Sequence, residues 1–132
     1  MNITFRLMKK ALIFAPFVVL LITAIAVLRP VPIPDNSSEC LQVSAEVITL
    51  NETGGKDIVF LIEGSDTRFY INRGTEMGLT VKNLYEKTEG QKVTFFYPKY
   101  WTPLDPNSKT RHLSKIQLAN GEVLFSEIKN EI

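Results

Sequence analysis

Lys99, Tyr100 and Trp101 stand together in K-Y-W-T-P, and Arg68 and Tyr70 stand two apart in T-R-F-Y-I-N. Cations beside aromatic faces suit stacking on sugars or bases, or a hot spot for a protein partner. Arg111 and the lone histidine, His112, add two groups of the same kind. Two readings of Trp101 stay open. Beside Pro103 and Leu104 it can plug the end of a small fold, or it can be a contact residue. His112 reads either as a structural hydrogen-bonding residue or as a ligand.

Covalent and metal chemistry are poorly served. One cysteine, Cys40, cannot form an internal disulfide or a cysteine-rich metal site. It stands at the entrance of the folded region, where a nucleophile would have little supporting shell. No G-x-S-x-G, H-E-x-x-H, P-loop or G-x-G-x-x-G pattern occurs. Gly54-Gly55-Lys56 is a turn followed by a strand pattern, so it lacks the helix a phosphate loop needs. Glu63, Asp66, Glu76 and Asp105 are scattered, whereas a glycosidase needs two carboxylates facing across a cleft. These residues point to binding rather than catalysis, with no cofactor and no metal expected.

Charge narrows the partners. From Cys40 onward there are eleven Lys and Arg against twelve Asp and Glu. A domain that neutralises many phosphates needs a clear basic excess, so no nucleic-acid partner is expected.

The elements that must position these residues follow from periodicity. Leu41, Val43, Ala45 and Val47 alternate with polar residues, and the apolar parity then moves to Ile48 and Leu50. That is a strand with a bulge. Residues 57–63 and 67–72 form a second and a third strand, antiparallel across the short Gly64-Ser65-Asp66 turn. Thr80 is an N-cap, with Leu79 and Leu84 as a hydrophobic staple, for a short helix ending at Gly90. Its apolar face takes Val81, Leu84, Tyr85 and Thr88. Residues 91–97 make a fourth strand, stopped by Pro98. An irregular connection, 99–111, leads to a fifth strand over 112–118. Asn120-Gly121 is a hairpin signal into a sixth strand over 122–128, a possible exposed edge.

The domain over 40–132 is thus mainly β with one short helix. Three meandering strands, a helix and closing strands is the order of an OB-like Greek-key β-barrel. In that fold, ligands meet strands two and three and the adjoining loops, which here carry Arg68, Tyr70, Lys99, Tyr100, Trp101, Arg111 and His112. A small open sheet with one packed helix is the alternative.

Asp57-Ile58-Val59-Phe60, Tyr70-Ile71-Asn72-Arg73-Gly74, Trp101-Thr102-Pro103-Leu104-Asp105 and Asn120-Gly121-Glu122 together give the chain a loose resemblance. It resembles small bacterial envelope proteins with one N-terminal membrane segment and an OB-like domain. The resemblance spans Leu41 to Phe125 and implies a location and a fold, with no functional residues carried across.

Residues 1–29 hold the membrane segment. Residues 11–28 are eighteen consecutive uncharged positions, interrupted only by Pro16 and Thr23, and are expected to enter the lipid bilayer. Arg6, Lys9 and Lys10 precede the run and Arg29 alone closely follows it, which places the N-terminus in the cytoplasm. The C-terminal domain is then extracytoplasmic, in a bacterium periplasmic. The length favours a retained single-pass anchor; Ala24-Ile25-Ala26 also fits a signal cleaved after Ala26, giving a secreted product. Residues 30–39, with Pro30, Pro32 and Pro34, read as a stiff spacer ending in a flexible lead-in. The leading expectation is a non-catalytic module that binds an envelope protein. A domain for small ligands or glycans, and an accessory subunit of a membrane enzyme, are the alternatives.

Overall fold

The computed structural model describes residues 2–131. The chain forms two compact units, one up to Pro30 and one from Val31 onward.

The first unit is the helix α1, Asn2–Val27, whose 26 residues span ~39 Å at 1.5 Å per residue. It is long and apolar enough to cross a membrane. It begins well before the apolar run because Arg6, Leu7, Met8, Lys9 and Lys10 are all good helix formers. The Thr23 hydroxyl donates to the Val19 carbonyl at 2.8 Å, so the one polar side chain of the apolar stretch is satisfied within the helix. Pro30 closes the helical run, since the residue before a proline is driven out of the α region.

The second unit carries eight strands. They are β1 (Cys40–Ala45), β2 (Val47–Glu52), β3 (Ile58–Ile62), β4 (Arg68–Ile71), β5 (Val93–Pro98), β6 (Thr110–His112), β7 (Lys115–Leu118) and β8 (Val123–Ser126). One short helix, α2 (Val81–Thr88), lies between β4 and β5. The strands form two four-stranded sheets, ordered β1-β5-β7-β8 and β2-β3-β4-β6, rather than one continuous closed ladder. Pairing is antiparallel except for β4 with β6, which is parallel.

Two short breaks divide the ladders. Glu46 separates β1 from β2, and its carbonyl accepts from the Glu63 amide at 2.9 Å. Leu113 and Ser114 separate β6 from β7. The Leu113 amide donates to Tyr70 of β4 at 2.8 Å, and the Ser114 amide donates to Phe96 of β5 at 2.8 Å. Successive residues therefore hydrogen-bond to different sheets. The expected bulge is also present. Val47 faces Ile62 and Thr49 faces Leu61, so Ile48 is the extra residue and lies 61% exposed.

The core lies between the sheets. Ile58, Phe60 and Ile62 of β3 alternate inward, as do Phe69 and Ile71 of β4. They meet Val93 and Phe95 of β5 and Ile116 of β7, all fully buried. The Phe95 ring centroid is 5.5 Å from Phe60 and 5.8 Å from Phe69, so one side chain of the first sheet contacts both central strands of the second.

The capping reading holds: the Thr80 hydroxyl accepts from the Asn83 amide at 3.2 Å. Leu84 and Thr88 face inward, but Tyr85 is 45% exposed, because the buried stripe of so short a helix is narrow. Asn120-Gly121 makes the β7–β8 turn with Gly121 at φ +91°, and the Asn120 Oδ1 accepts from the Glu122 amide at 2.9 Å.

A second apolar cluster joins Cys40, Phe96 and Ile128. Beside it, Lys115 is buried, pairs with Glu131 at 2.7 Å, and stacks over the Phe96 ring. Cys40 is 8% exposed, so it is a packed side chain rather than an accessible thiol at an entrance. Burial, with Glu131 and Glu39 nearby, pushes its thiol up and away from the reactive thiolate.

The sheets' dependence on Phe95 sets a stability test. Phe95→Ala lowers unfolding free energy by about 3–5 kcal/mol, and Glu63→Gln at an exposed position changes it by no more than about 0.5 kcal/mol. Denaturant titration of the two variants in detergent checks this. Comparable midpoints for both would show that Phe95 does not join the sheets.

Candidate functional site

The alternation that buries Phe69 and Ile71 turns Arg68 and Tyr70 to the outer side of β4. β6 lies parallel beside it, with Arg68 opposite Thr110 and Tyr70 opposite His112; on the other side Val59 of β3 faces Tyr70. Tyr70 therefore sits centrally on the outer face of β3, β4 and β6. Its ring meets the edge of His112 at 5.4 Å.

The 99–111 connection is held by its own hydrogen bonds. The Asp105 carboxylate accepts from the Lys109 amide at 3.0 Å and the Thr110 amide at 2.8 Å. Those two donors hold its carboxyl below the usual carboxylate range. Thr102 and Asp105 form a β-bridge, and the Trp101 indole N–H donates to the Pro106 carbonyl at 3.1 Å. Arg111 fastens the base of the loop: its Nη1 donates to the Tyr100 carbonyl at 2.8 Å, and its guanidinium lies over the Tyr97 ring. The loop is a knot of short-range bonds that presents Trp101, 56% exposed, and Leu104, 68% exposed. Trp101 is thus at the surface and does not plug the fold.

Two adjoining depressions form a groove on this face. One, of about 180 Å³, is lined by Tyr70, Pro98, Tyr100, Asp105 and Arg111, and by Val31 of the Pro-rich segment. The other, of about 330 Å³, is lined by Asp57, Val59, Arg68, Asn72 and the shared Tyr70 and Thr110. Of the residues singled out from sequence, Arg68, Tyr70, Tyr100 and Arg111 come together here. Trp101 and Lys99 lie on the adjoining loop, outside the lining. His112 lies beside Tyr70 on the neighbouring strand, where its Nε2 is 2.5 Å from the Glu127 carboxylate and its side chain is 11% exposed. A larger depression, of about 520 Å³, lies at Lys115, Val123 and Glu131, and its lining contains no aromatic residue.

Burial first, then the neighbouring Asp57, raises the Tyr70 phenol, so its hydroxyl stays protonated as a donor. The Asp57 Oδ1 accepts from the Arg73 amide at 2.7 Å, and Asp105 is engaged as above. Both carboxylates are thus committed to backbone donors, while two guanidinium groups and two tyrosine rings line the surface. Among the described residues, no three His, Cys, Asp or Glu side chains group as a metal site. Val31, Thr110 and Asp57 were not identifiable as lining residues from sequence, since each reaches the groove only through tertiary placement. Asp105 carried a local sign, the D-P-N-S turn composition.

The ionised form of Asp105 holds the loop. A lowered carboxyl stabilises the folded loop above the unfolded value, and this contribution is lost as pH falls through the folded one. The amide shifts of Lys109 and Thr110 should titrate together, with a midpoint below that of an ordinary aspartate. A midpoint at or above the ordinary value would contradict the two-amide arrangement.

No family model, curated protein or solved structure matches the chain, so the groove is read from its own geometry.

Proposed function

We propose that this chain is a non-catalytic, single-pass membrane protein whose β domain, on the extracytoplasmic side, binds a protein partner in the cell envelope. The observation that carries this reading is the groove across β3, β4 and β6, bordered by a hydrogen-bonded loop with Trp101 and Leu104 exposed. An exposed aromatic beside an apolar tip and a groove lined by tyrosines and arginines has the composition of an interaction hot spot. The charges flanking the apolar run within α1 support a cytoplasmic N-terminus. Cleavage after Ala26 would instead release the same domain.

The strand order supports an OB-like reading of the domain. β2, β3 and β4 form a meander, β4 pairs parallel with β6, α2 precedes β5, and β5 pairs with both β1 and β7. The breaks at Glu46 and at Leu113–Ser114 are where the strands of a small barrel would bend between its two halves. The groove then occupies the face on which such barrels take up ligands.

A second reading, binding of a small ligand or glycan, is favoured by the Tyr70 and Tyr100 rings in the lining and the exposed Trp101 ring on the adjoining loop. Titration with envelope saccharides would change Trp101 emission under this reading.

The partner reading is tested in cells with a photo-crosslinking residue in place of Leu104. It predicts one discrete adduct with an envelope or membrane protein, reduced about tenfold or more by Trp101→Ala, as expected for a hot-spot truncation. Recovery of the chain alone, under conditions where the crosslinker reacts, would count against it.

A further inference from the structure

Val31 is the first residue of the β unit and forms part of the wall of the smaller depression, beside Tyr100, Thr102, Asp105 and Ser108 of the 99–111 loop. It stands three residues after Leu28, the last residue of the apolar run. Three residues of chain reach at most about 11 Å. The polar layer on each side of a bilayer's hydrocarbon core is about 5–8 Å thick. With the apolar run in that core, the covalent chain alone keeps Val31 among the headgroups or just above them. The loop beside Val31 is then at the membrane surface as well.

That loop also carries exposed apolar surface. From Val31 onward, among the described residues, the most exposed large apolar side chains are Leu104 at 68%, Ile48 at 61% and Trp101 at 56%. Ile48 is the extra residue of the β2 bulge, and the other two stand on the loop that borders Val31. Single exposed apolar residues are ordinary on a protein surface. A tryptophan and a leucine presented together, on a loop next to the chain's point of entry into the bilayer, have a more specific use. The Trp101 indole N–H already donates to the Pro106 carbonyl at 3.1 Å, so the ring can enter an apolar layer without stranding its donor. Lys99 and Lys109 are exposed near the two ends of the loop, and Lys109 pairs with the exposed Asp66 across 3.8 Å. The loop's one carboxylate, Asp105, is engaged by the Lys109 and Thr110 amides. Tryptophan at the level of the headgroups, with lysines reaching phosphate oxygens, is the arrangement that a membrane–water boundary favours.

We propose that the 99–111 loop rests on the bilayer that α1 spans, with Trp101 and Leu104 in the interfacial layer and Lys99 and Lys109 beside the lipid phosphates. This rests on the reading of α1 as a retained anchor and goes beyond the partner reading, since contact with lipid needs no second protein. Tethering by so short a chain supplies the loop to the surface at high effective concentration, so two apolar side chains suffice.

The test uses the full chain in vesicles of phosphatidylcholine and phosphatidylglycerol, with or without phosphatidylcholine brominated on the acyl carbons nearest the headgroup. Trp101 is the only tryptophan, so its emission reports on the loop. Flotation with the vesicles reports insertion of α1. Brominated lipid should reduce Trp101 emission, and iodide supplied on both sides should quench it poorly. Leu104→Asp, a change at an exposed position that leaves the fold intact, should reverse both effects. If the chain does not float, the anchor reading and this inference fall together. If it floats, but bromine leaves the emission unchanged and iodide quenches it freely, the anchor reading stands and this inference falls. Equal bromine quenching in the natural chain and Leu104→Asp also overturns it, because the loop tip would not be making the contact. Capture of a protein from position 104 in cells, with Trp101 in water in vesicles, assigns the loop to a protein partner instead. Lipid contact in vesicles with no adduct in cells upholds this inference and counts against the partner reading.

Discussion

The contact of Phe95 with Phe60 and Phe69 is the interaction on which the rest of the β domain depends. Its ring lies 5.5 Å from one and 5.8 Å from the other, and those two belong to the paired central strands of the opposite sheet. A four-stranded sheet that buries one face needs a partner layer, and here each sheet is that partner for the other. With no disulfide available to its single cysteine, the domain relies on this apolar interior. The breaks at Glu46 and Leu113–Ser114 let single stretches of chain serve both sheets, so the layers are joined covalently as well as by packing.

The groove is a consequence of that interior. Because Phe69 and Ile71 must point in, Tyr70 and Arg68 must point out, and the parallel pairing of β6 with β4 brings Thr110 and His112 alongside. The 99–111 loop then has a fixed base. Arg111 spans from the Tyr97 ring to the Tyr100 carbonyl, and Asp105 collects two amides at the loop's return. Order in this loop costs conformational entropy, and the hydrogen bonds within it offset part of that cost before any ligand arrives. A site preorganised this way suits selective binding better than a mobile loop does.

What could be read from sequence was local. Alternation exposed the strands, Thr80 marked the helix start, and Asn120-Gly121 marked the hairpin, because each signal depends on residues within a few positions. Arg68, Tyr70, Tyr100 and Arg111 could be nominated because cations beside aromatics fell on the strands and loops where an OB-like fold takes up ligands. What could not be read depended on distant chain. Cys40, placed from sequence at the entrance of the folded region, is buried by Phe96 and Ile128, far away in sequence. Trp101 is at the surface, with its indole N–H donating to the Pro106 carbonyl. The Pro-rich segment read as a stiff spacer ending in a flexible lead-in, yet Lys129 and Asn130 hold its Pro34 and Asp35.

The central claim is that α1 delivers this domain to the far side of a membrane. The buried thiol of Cys40 makes the natural chain a quiet background for labelling. An introduced cysteine at Asn107, on the exposed loop, supplies the reporter. Cells expressing Asn107→Cys are treated, intact and with any outer membrane permeabilised, with a maleimide that cannot cross the inner membrane. An extracytoplasmic domain predicts labelling of intact cells at the level reached after lysis, in a band of full chain mass for a retained anchor. Labelling that appears only after lysis would place the domain in the cytoplasm and contradict the tethered envelope module.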